Sequence, residues 1–110
     1  MTYKEISSMI ESSELDFAYY QFPENEAPDL PYILFYYPER NDFQADSANY
    51  AKITQLNIEL YTKEKDFETE EALEELLEEY GLTYDKEEQY INEEKMYEVL
   101  YTMEVIINES

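Results

Sequence analysis

Apolar residues recur at helical spacing at the start of the chain. Thr2 and Glu5 fit a capping box, in which each side chain accepts a hydrogen bond from the backbone amide of the other residue. An apolar stripe follows at spacings of three and four residues, made of Ile6, Met9 and Ile10. Together these features predict a short amphipathic helix over about residues 3–12.

Strand-like patterns fill the middle of the chain. Residues 15–22 are aromatic and half apolar and predict a strand, whereas the three prolines within residues 23–31 predict an extended loop. The apolar and aromatic run at 32–37, bounded by a proline on each side, predicts a second strand. Over 52–62 apolar and polar positions alternate, which predicts a third strand with one buried face and one wet face.

A second helix is predicted before Gly81, the single glycine of the chain. Asp66 or Thr69 can cap its first turn, because either side chain can accept from the free backbone amides there. The helix is predicted to run to Tyr80 and to stop at Gly81, since glycine tolerates the left-handed conformation that ends helices. Its apolar stripe consists of Ala72, Leu73, Leu76, Leu77 and Tyr80.

The remaining pattern predicts two more strands and, with them, the fold class. They cover about 82–91 and 95–107, and the short connection between them favours an antiparallel hairpin. The polar segment 38–50 is longer than an ordinary hairpin loop, so it predicts a long hairpin arm. We therefore predict a single α+β domain over residues 1–110, with a mostly antiparallel (mixed) β-sheet of about five strands, two helices packed on one face, and this arm.

The charge of the chain changes what this pattern implies about partners. With 28 acidic residues against seven basic ones, the net charge is −21. Such a charge is typical of disorder, but 44% hydrophobic residues, including 13 Tyr and five Phe, are enough to build a core. A folded domain with an acidic exterior is expected to be repelled by DNA, RNA and anionic membranes. We therefore predict no direct sequence-specific binding of nucleic acid and no membrane partner.

Missing residue types exclude several kinds of site. Without Cys or His, the chain has no disulfide, no thiolate metal site, no imidazole base and no Ser-His-Asp triad. A single glycine also excludes glycine-rich phosphate loops. The N-terminal residues do not predict a signal peptide, and no apolar run approaches the roughly 18–20 residues that cross a bilayer. We expect a soluble protein that works, or is assembled, in a cytoplasm.

Carboxylates are the remaining candidates for catalysis or metal binding. Hard cations such as Mg²⁺ and Ca²⁺ prefer oxygen ligands, and Asp42 with Asp46 is the best local pair. No EF-hand spacing is present, and 28 acidic residues make chance pairs certain. We therefore predict no catalytic residue, no cofactor and no metal site. An enzyme that uses carboxylates and Mg²⁺ is therefore the weakest functional hypothesis for this chain.

The second predicted helix carries an acidic surface, formed by Glu68, Glu71, Glu74, Glu75, Glu78 and Glu79. Such a surface can mimic the phosphate row of DNA, which has one charge per roughly 1.7 Å of helix axis. It can equally line a passage that must not bind DNA, or be an ordinary solvated helix face. The residues alone leave these three interpretations open.

Aromatic residues of the predicted strands and arm are candidates for contacts with other proteins. Neighbouring strand residues point to opposite faces, so some of the adjacent tyrosines are expected outside the core. Tyrosine suits interfaces because a large apolar ring ends in a polar hydroxyl, although its high strand propensity is an alternative explanation. The predicted interface with other protein chains comprises Tyr32, Tyr36, Tyr37, Phe43 and Tyr50.

Four runs of sequence together resemble a known family. They are LPYILFY at 30–36, DFxAD at 42–46, LNIELYTKxKD at 56–66 and KMYEVLYxMEV at 95–105. The chain resembles the tail-terminator (tail-completion, minor tail) proteins encoded by long-tailed phages and prophages of Gram-positive bacteria. The likeness spans almost the whole chain, although no single run is diagnostic.

The resemblance implies a structural virion protein at the head–tail junction. Members of the family form a hexameric ring that caps the finished tail tube and joins it to the head, so the expected partners are further copies of this chain, tail-tube proteins and head-completion proteins. An acidic lumen would repel the phosphates of DNA passing through such a ring. The alternative hypothesis is a small acidic DNA mimic that inhibits a host DNA-binding or defence protein.

Overall fold

The computed structural model describes the backbone of residues 1–45 and 48–108 and the side chains of residues 1–42 and 52–108. These residues form two helices and six strands. They are α1 (Tyr3–Glu11), β1 (Asp16–Tyr19), β2 (Tyr32–Tyr36), β3 (Phe43–Ala45), β4 (Ala48–Thr62), α2 (Phe67–Glu79), β5 (Asp85–Ile91) and β6 (Met96–Ile107).

Five of the strands form one mixed sheet in the order β1-β2-β4-β6-β5. Strands β1 and β2 pair in parallel, and the other pairs in this sheet are antiparallel. Strand β3 lies off this path and pairs only with the beginning of β4. The predicted α+β class, with about five mostly antiparallel strands and two helices, is therefore confirmed.

Both helices pack on one face of the sheet, which we call the covered face. Cross-strand register aligns Ile33 with Leu60 and Val99 there, and all three side chains are fully buried. The helices contribute the remaining core contacts through Ile6, Met9 and Ile10 of α1 and Leu73 and Leu77 of α2. Each fully buried side chain of this size stabilises the fold by about 1.5–3 kcal/mol, so the burial of this face accounts for the position of both helices.

The ends of the helices follow the predicted signals. Thr2 and Glu5 form the capping box, with two reciprocal hydrogen bonds of 3.1 Å. Asp66 rather than Thr69 is the cap of α2, since its carboxylate accepts from the Thr69 amide at 3.0 Å. Gly81 adopts φ +73°, and the next amide, that of Leu82, donates to the carbonyl of Leu77 at 3.0 Å, which closes the helix in a Schellman motif.

Strand boundaries differ from the prediction where the backbone turns. The first strand stops at Tyr19 because Tyr20 adopts φ +70°, a left-handed conformation that ends the extended run. Strand β5 begins only at Asp85, three residues later than predicted. Strand β4 begins at Ala48 rather than Lys52, so it extends beyond the edge of its partner β6.

The segment predicted as a long arm runs alongside β4 for part of its length. Arg40 forms a bridge with Thr54, and the Asn41 amide donates to the Ile53 carbonyl at 2.7 Å. Strand β3 then continues this antiparallel pairing up to Ala45. Residues 46–47 lie outside the described part of the chain, so the full length of the arm stays a prediction.

Candidate interaction surfaces

An ionic network joins α2 to β5 on the covered face of the sheet. Glu70 is only 1% exposed, and its carboxylate lies 2.7 Å from Lys65 and 3.0 Å from Lys86. Lys86 also contacts Glu74 at 2.8 Å, and Glu74 accepts a hydrogen bond of 2.8 Å from the hydroxyl of Tyr101. A buried carboxylate is tolerated here because two cations compensate its charge.

The pKa directions in this network agree with that compensation. Burial opposes ionisation of Glu74, but hydrogen bonds from Lys86 and Tyr101 outweigh it and lower the pKa of the carboxyl. Burial likewise opposes the charge of Lys86, yet Glu74 and Glu70 together raise its pKa. The pKa of the Tyr101 hydroxyl is raised by burial and by the carboxylate it donates to. These groups hold the helix on the sheet.

The opposite side of the sheet, which we call the open face, carries no helix. Three cross-strand rows cross it from β2 to β5. They are Tyr32–Tyr61–Glu98–Gln89, Leu34–Glu59–Leu100–Glu87 and Tyr36–Asn57–Thr102–Asp85. On the β2 side, the rings of Phe22 and Tyr20 lie 5.1 Å from those of Tyr32 and Tyr36. The β5–β6 side of this face has no such aromatic cover among the described residues.

Two carboxylates near the centre of the open face are held by neutral donors. The Tyr61 hydroxyl oxygen lies 2.8 Å from Glu59 and 2.6 Å from Glu98, so one phenolic proton serves two carboxylates. Glu59 also accepts from Tyr36 at 3.1 Å, and Glu98 accepts from Gln89 at 2.8 Å. Burial, followed by these carboxylates, raises the pKa of Tyr61. In the described structure neither carboxylate has a Lys or Arg partner.

The whole open face has the same sign of charge. Among its described strand positions, six are acidic and none is Lys or Arg. The six are Asp16, Glu59, Asp85, Glu87, Glu98 and Glu104. Lys65, which lies between β4 and α2, and Lys86 of β5 are engaged in the network of the covered face, and Lys52 of β4 occupies a covered-face position of its strand. This face therefore combines organised side chains with uncompensated negative charge.

The predicted acidic surface of α2 is divided by the structure. Its exposed members are Glu68, Glu71, Glu75, Glu78 and Glu79. Glu74 is instead half-buried and bound to Lys86 and Tyr101, so it belongs to the ionic network. Glu70 was not singled out from the sequence, although its spacing from Leu73 and Leu77 places it on the buried stripe.

A second region, which we call the aromatic edge, comprises residues 17–23 and 30–38. These two segments hold eight aromatic residues and no charged one, and they meet through the pairing of β1 with β2. Tyr19 and Tyr20 are its most exposed rings, at 53% and 62%. Strand β1 is also an outer strand of the sheet, so among the described residues one side of its backbone pairs with no other strand.

The predicted interface residues occupy different positions around this edge. Tyr32 and Tyr36 are half-buried on the open face, under the rings of Phe22 and Tyr20. Tyr37 packs 5.0 Å from the ring of Tyr3, and its hydroxyl is buried without a hydrogen-bond partner. The side chains of the other two predicted residues, Phe43 and Tyr50, lie outside the described part of the structure.

The predicted carboxylate pair is described only in part. Asp42 pairs with Arg40, and Asp46, the other member of the predicted carboxylate pair, lies outside the described residues. Among residues 1–42 and 52–108, no group of three or more acidic side chains is arranged to hold a metal ion. Neither helix in that part of the chain is both long and apolar enough to span a bilayer.

The comparisons with known proteins add no family assignment. The chain matches no protein-family model, and no curated protein sequence matches it.

Proposed function

We propose that this protein is a structural virion subunit that assembles with copies of itself into a ring at a phage head–tail junction. The observation that carries this proposal is the segregation of charge. The aromatic edge has no charged residue, whereas residues 64–94, which include α2 and β5, hold fourteen acidic residues and two basic ones. One side of the molecule is thus suited to contact and the other to repulsion.

Self-association of a chain with a net charge of −21 requires a contact surface that is free of acidic residues. The aromatic edge meets this condition, and its exposed Tyr19 and Tyr20 are the residue type that interfaces favour. The unpaired side of β1 can add backbone hydrogen bonds to such a contact. The opposite outer strand, β5, carries three acidic residues among its seven, which disfavours pairing there.

The acidic side of the molecule fits a position next to DNA that passes without binding. Carboxylates of α2 and β5 repel phosphate, and the low-charge edge keeps adjacent subunits together. Tail-tube and head-completion proteins are the other partners of such a ring, and the virion is its final location. These assignments agree with the family resemblance of the four sequence runs.

Sedimentation of matched charge variants tests the proposal. Tyr20→Glu places a charge on the aromatic edge, and Tyr90→Glu places the same charge on an exposed tyrosine of β5, which is 45% exposed. We expect the wild type and Tyr90→Glu to form oligomers at high concentration or on added tail-tube protein, and Tyr20→Glu to stay monomeric. A wild type that is monomeric under both conditions, or equal dissociation by both variants, would contradict the proposal.

The acidic face of α2 favours one alternative, a DNA mimic that blocks a DNA-binding host protein. Glu68, Glu71, Glu75 and Glu78 are exposed at helical spacings of three and four, so they form a continuous negative row. This function requires salt-sensitive binding of a basic protein by the monomer. Absence of any nucleic-acid-binding protein among partners captured at low salt would remove it.

A further inference from the structure

We infer that copies of this chain join head to tail, with the aromatic edge of one copy seated in a groove between the two helices of the next. This groove, which we call the interhelical groove, lies between the C-terminal end of α1 and one side of α2. Its floor and walls are formed by Ser12, Ser13, Leu15, Thr69, Ala72 and Leu76. The inference rests on the ring proposal and names the surface that receives the aromatic edge.

A closed ring requires two different contact surfaces on every subunit. If the aromatic edge paired only with itself, the contact would be two-fold symmetric and assembly would stop at a dimer. Strand β5 has three acidic residues among its seven, and the open face has six acidic strand positions and no Lys or Arg among its described ones, so neither suits an uncharged partner surface. The interhelical groove, by contrast, has apolar residues in its floor.

The apolar stripe of α2 is wider than the part that the sheet covers. Leu73 and Leu77 are 2% and 0% exposed, whereas Leu76 is half-buried and Ala72 is exposed. Leu15, beyond the end of α1, is also half-buried and lines the same groove. The groove has a volume of about 450 Å³, within the range of roughly 300–1,000 Å³ that is typical of clefts that enclose an organic ligand. It therefore has room and apolar surface for aromatic side chains.

A row of three carboxylates borders the interhelical groove on α2. Glu68, Glu75 and Glu79 follow one another at spacings of seven and four residues, so they lie along one side of the helix. All three are exposed, and in the described structure none of them has a Lys or Arg partner. Ala72 lies in this row between Glu68 and Glu75, and its single methyl group leaves a gap through which a ring can reach the floor.

The aromatic edge supplies the complementary chemistry. Tyr19 and Tyr20 are 53% and 62% exposed, and the edge has no charged residue, so it adds no negative charge next to the carboxylate row. Within the described structure, the Tyr20 hydroxyl makes no hydrogen bond, and the Tyr19 hydroxyl accepts one from the Tyr37 amide at 3.3 Å. Both hydroxyl protons are therefore available to a carboxylate of another copy.

The chain already uses tyrosine hydroxyls to satisfy carboxylates. They donate to glutamates in three places: Tyr101 to Glu74 at 2.8 Å, Tyr61 to Glu98 at 2.6 Å, and Tyr36 to Glu59 at 3.1 Å. A hydrogen bond to an ionised acceptor is roughly twice as strong as one between neutral groups. The same pair across a subunit contact offsets part of the cost of removing the carboxylate row from water, and it needs no cation.

Mixing two variants tests the inference by sedimentation. Tyr20→Glu blocks the aromatic edge and leaves the groove intact, whereas Ala72→Glu places a carboxylate in the groove and leaves the edge intact. We expect each variant alone to sediment as a monomer and their equimolar mixture as a dimer, because the one functional edge then meets the one functional groove. A mixture that stays monomeric would overturn the inference.

Phe67→Glu is the matched control for Ala72→Glu, because it places the same charge on α2 outside the groove, at a side chain that is 66% exposed. We expect Ala72→Glu to weaken self-association at least about tenfold and Phe67→Glu less than about twofold, since only the first charge is buried by the contact. If Tyr20→Glu is monomeric but Ala72→Glu associates like the wild type, the groove is overturned while the ring proposal stands. A wild type that is monomeric even with tail-tube protein would overturn both.

Amide chemical shifts identify the surface that receives the edge. When unlabelled Ala72→Glu is added to isotope-labelled Tyr20→Glu, we expect shifts at residues 12–15 and along α2 of the labelled chain. Shifts centred on β1 and β2 of that chain would contradict the groove. A lysine-rich amphipathic peptide that shifts the groove resonances of the assembled wild type would assign the groove to a different protein and would also overturn the inference.

Discussion

The two faces of the sheet use the same chemical pair, a carboxylate beside a tyrosine hydroxyl, in opposite ways. On the covered face, Glu74 accepts from Tyr101 and also pairs with Lys86. On the open face, Glu59 and Glu98 share the hydroxyl of Tyr61, and in the described structure no cation accompanies them. All three of these carboxylates are partly buried, so burial does not separate them; the fully buried carboxylate of the covered face is Glu70, and it is the one that requires cations, because its charge is removed from water.

The charges of the covered face hold α2 against the sheet, whereas those of the open face remain available to partners. Of the seven basic residues, Lys65 and Lys86 are committed to holding α2 against β5. The open face is left with carboxylates whose compensation comes from solvent. The four experiments below compare the two faces and are ordered by the size of the expected effect.

The largest effect is expected from removing both cations of the covered face. In Lys65→Met with Lys86→Met, the carboxylate of Glu70 stays buried without compensation, so we expect a loss of about 3–5 kcal/mol in the free energy of unfolding. Urea denaturation measures it. The matched change on the open face, Glu59→Gln with Glu98→Gln, is expected to cost less than about 1 kcal/mol, since these carboxylates face water. Similar losses in the two double variants would remove the distinction between the faces.

Alkaline pH is expected to destabilise both faces. The pKa values of Tyr61 and Tyr101 are raised in the folded state by burial and by neighbouring carboxylates, and the pKa of Lys86 is raised by Glu74 and Glu70 against its burial. A group with a raised folded pKa stabilises the protein below its unfolded pKa and loses that contribution as the pH rises past it. We therefore expect the free energy of unfolding to fall above about pH 10.

Urea midpoints between about pH 8 and pH 11 measure this fall, with Tyr61→Phe and Tyr101→Phe as controls that each remove one titrating hydroxyl. Each variant is expected to show a shallower decline than the wild type. A stability that is constant across this range would contradict the burial of the two hydroxyls.

Much of the fold could be predicted from local pattern. Alternation over 52–62 and 95–107 identified the central strands, and the cap and glycine signals identified α2, because each depends on residues close in sequence. The end of β1 at Tyr19 could not be predicted, because a tyrosine rarely adopts a positive φ and Tyr20 does so here. The parallel pairing of β1 with β2 depends on a contact across the intervening loop, which periodicity does not contain.

Local sequence pattern predicted the interaction surfaces only in part. Alternation placed Glu59 and Glu98 on the wet sides of their strands, but their meeting at Tyr61 depends on the register between β4 and β6. In α2, composition does not distinguish Glu74, which is bound to Lys86, from its exposed neighbours. Glu70 had a usable signal, because it lies three and seven residues before Leu73 and Leu77 and therefore falls on the apolar stripe.

A smaller effect is expected from single hydroxyl deletions. Tyr101→Phe removes the donor to Glu74 inside the covered face, and we expect a loss of about 1–2 kcal/mol in the free energy of unfolding. Tyr37→Phe is its matched control, because the Tyr37 hydroxyl is buried without a hydrogen-bond partner. Removing an unsatisfied polar atom is expected to leave stability unchanged or to raise it slightly. A loss in Tyr37→Phe as large as in Tyr101→Phe would show that the two hydroxyls are equally bonded.

The smallest effect is expected from salt. Screening by salt should change the melting temperature through the exposed charges more than through the buried ones. Raising NaCl from about 10 to about 150 mM shortens the Debye length from roughly 30 to 8 Å, which weakens repulsion among exposed carboxylates but acts much less on the buried ionic network. We expect the melting temperature of the wild type to rise by a few degrees, and that of Lys65→Met with Lys86→Met to rise at least as much, since its negative charge is greater. Glu59→Gln with Glu98→Gln is expected to show a smaller rise, because two of the repelling carboxylates are gone. If removal of the two lysines abolished the salt response instead, the network would be exposed to solvent ions and the contrast between the faces would fail.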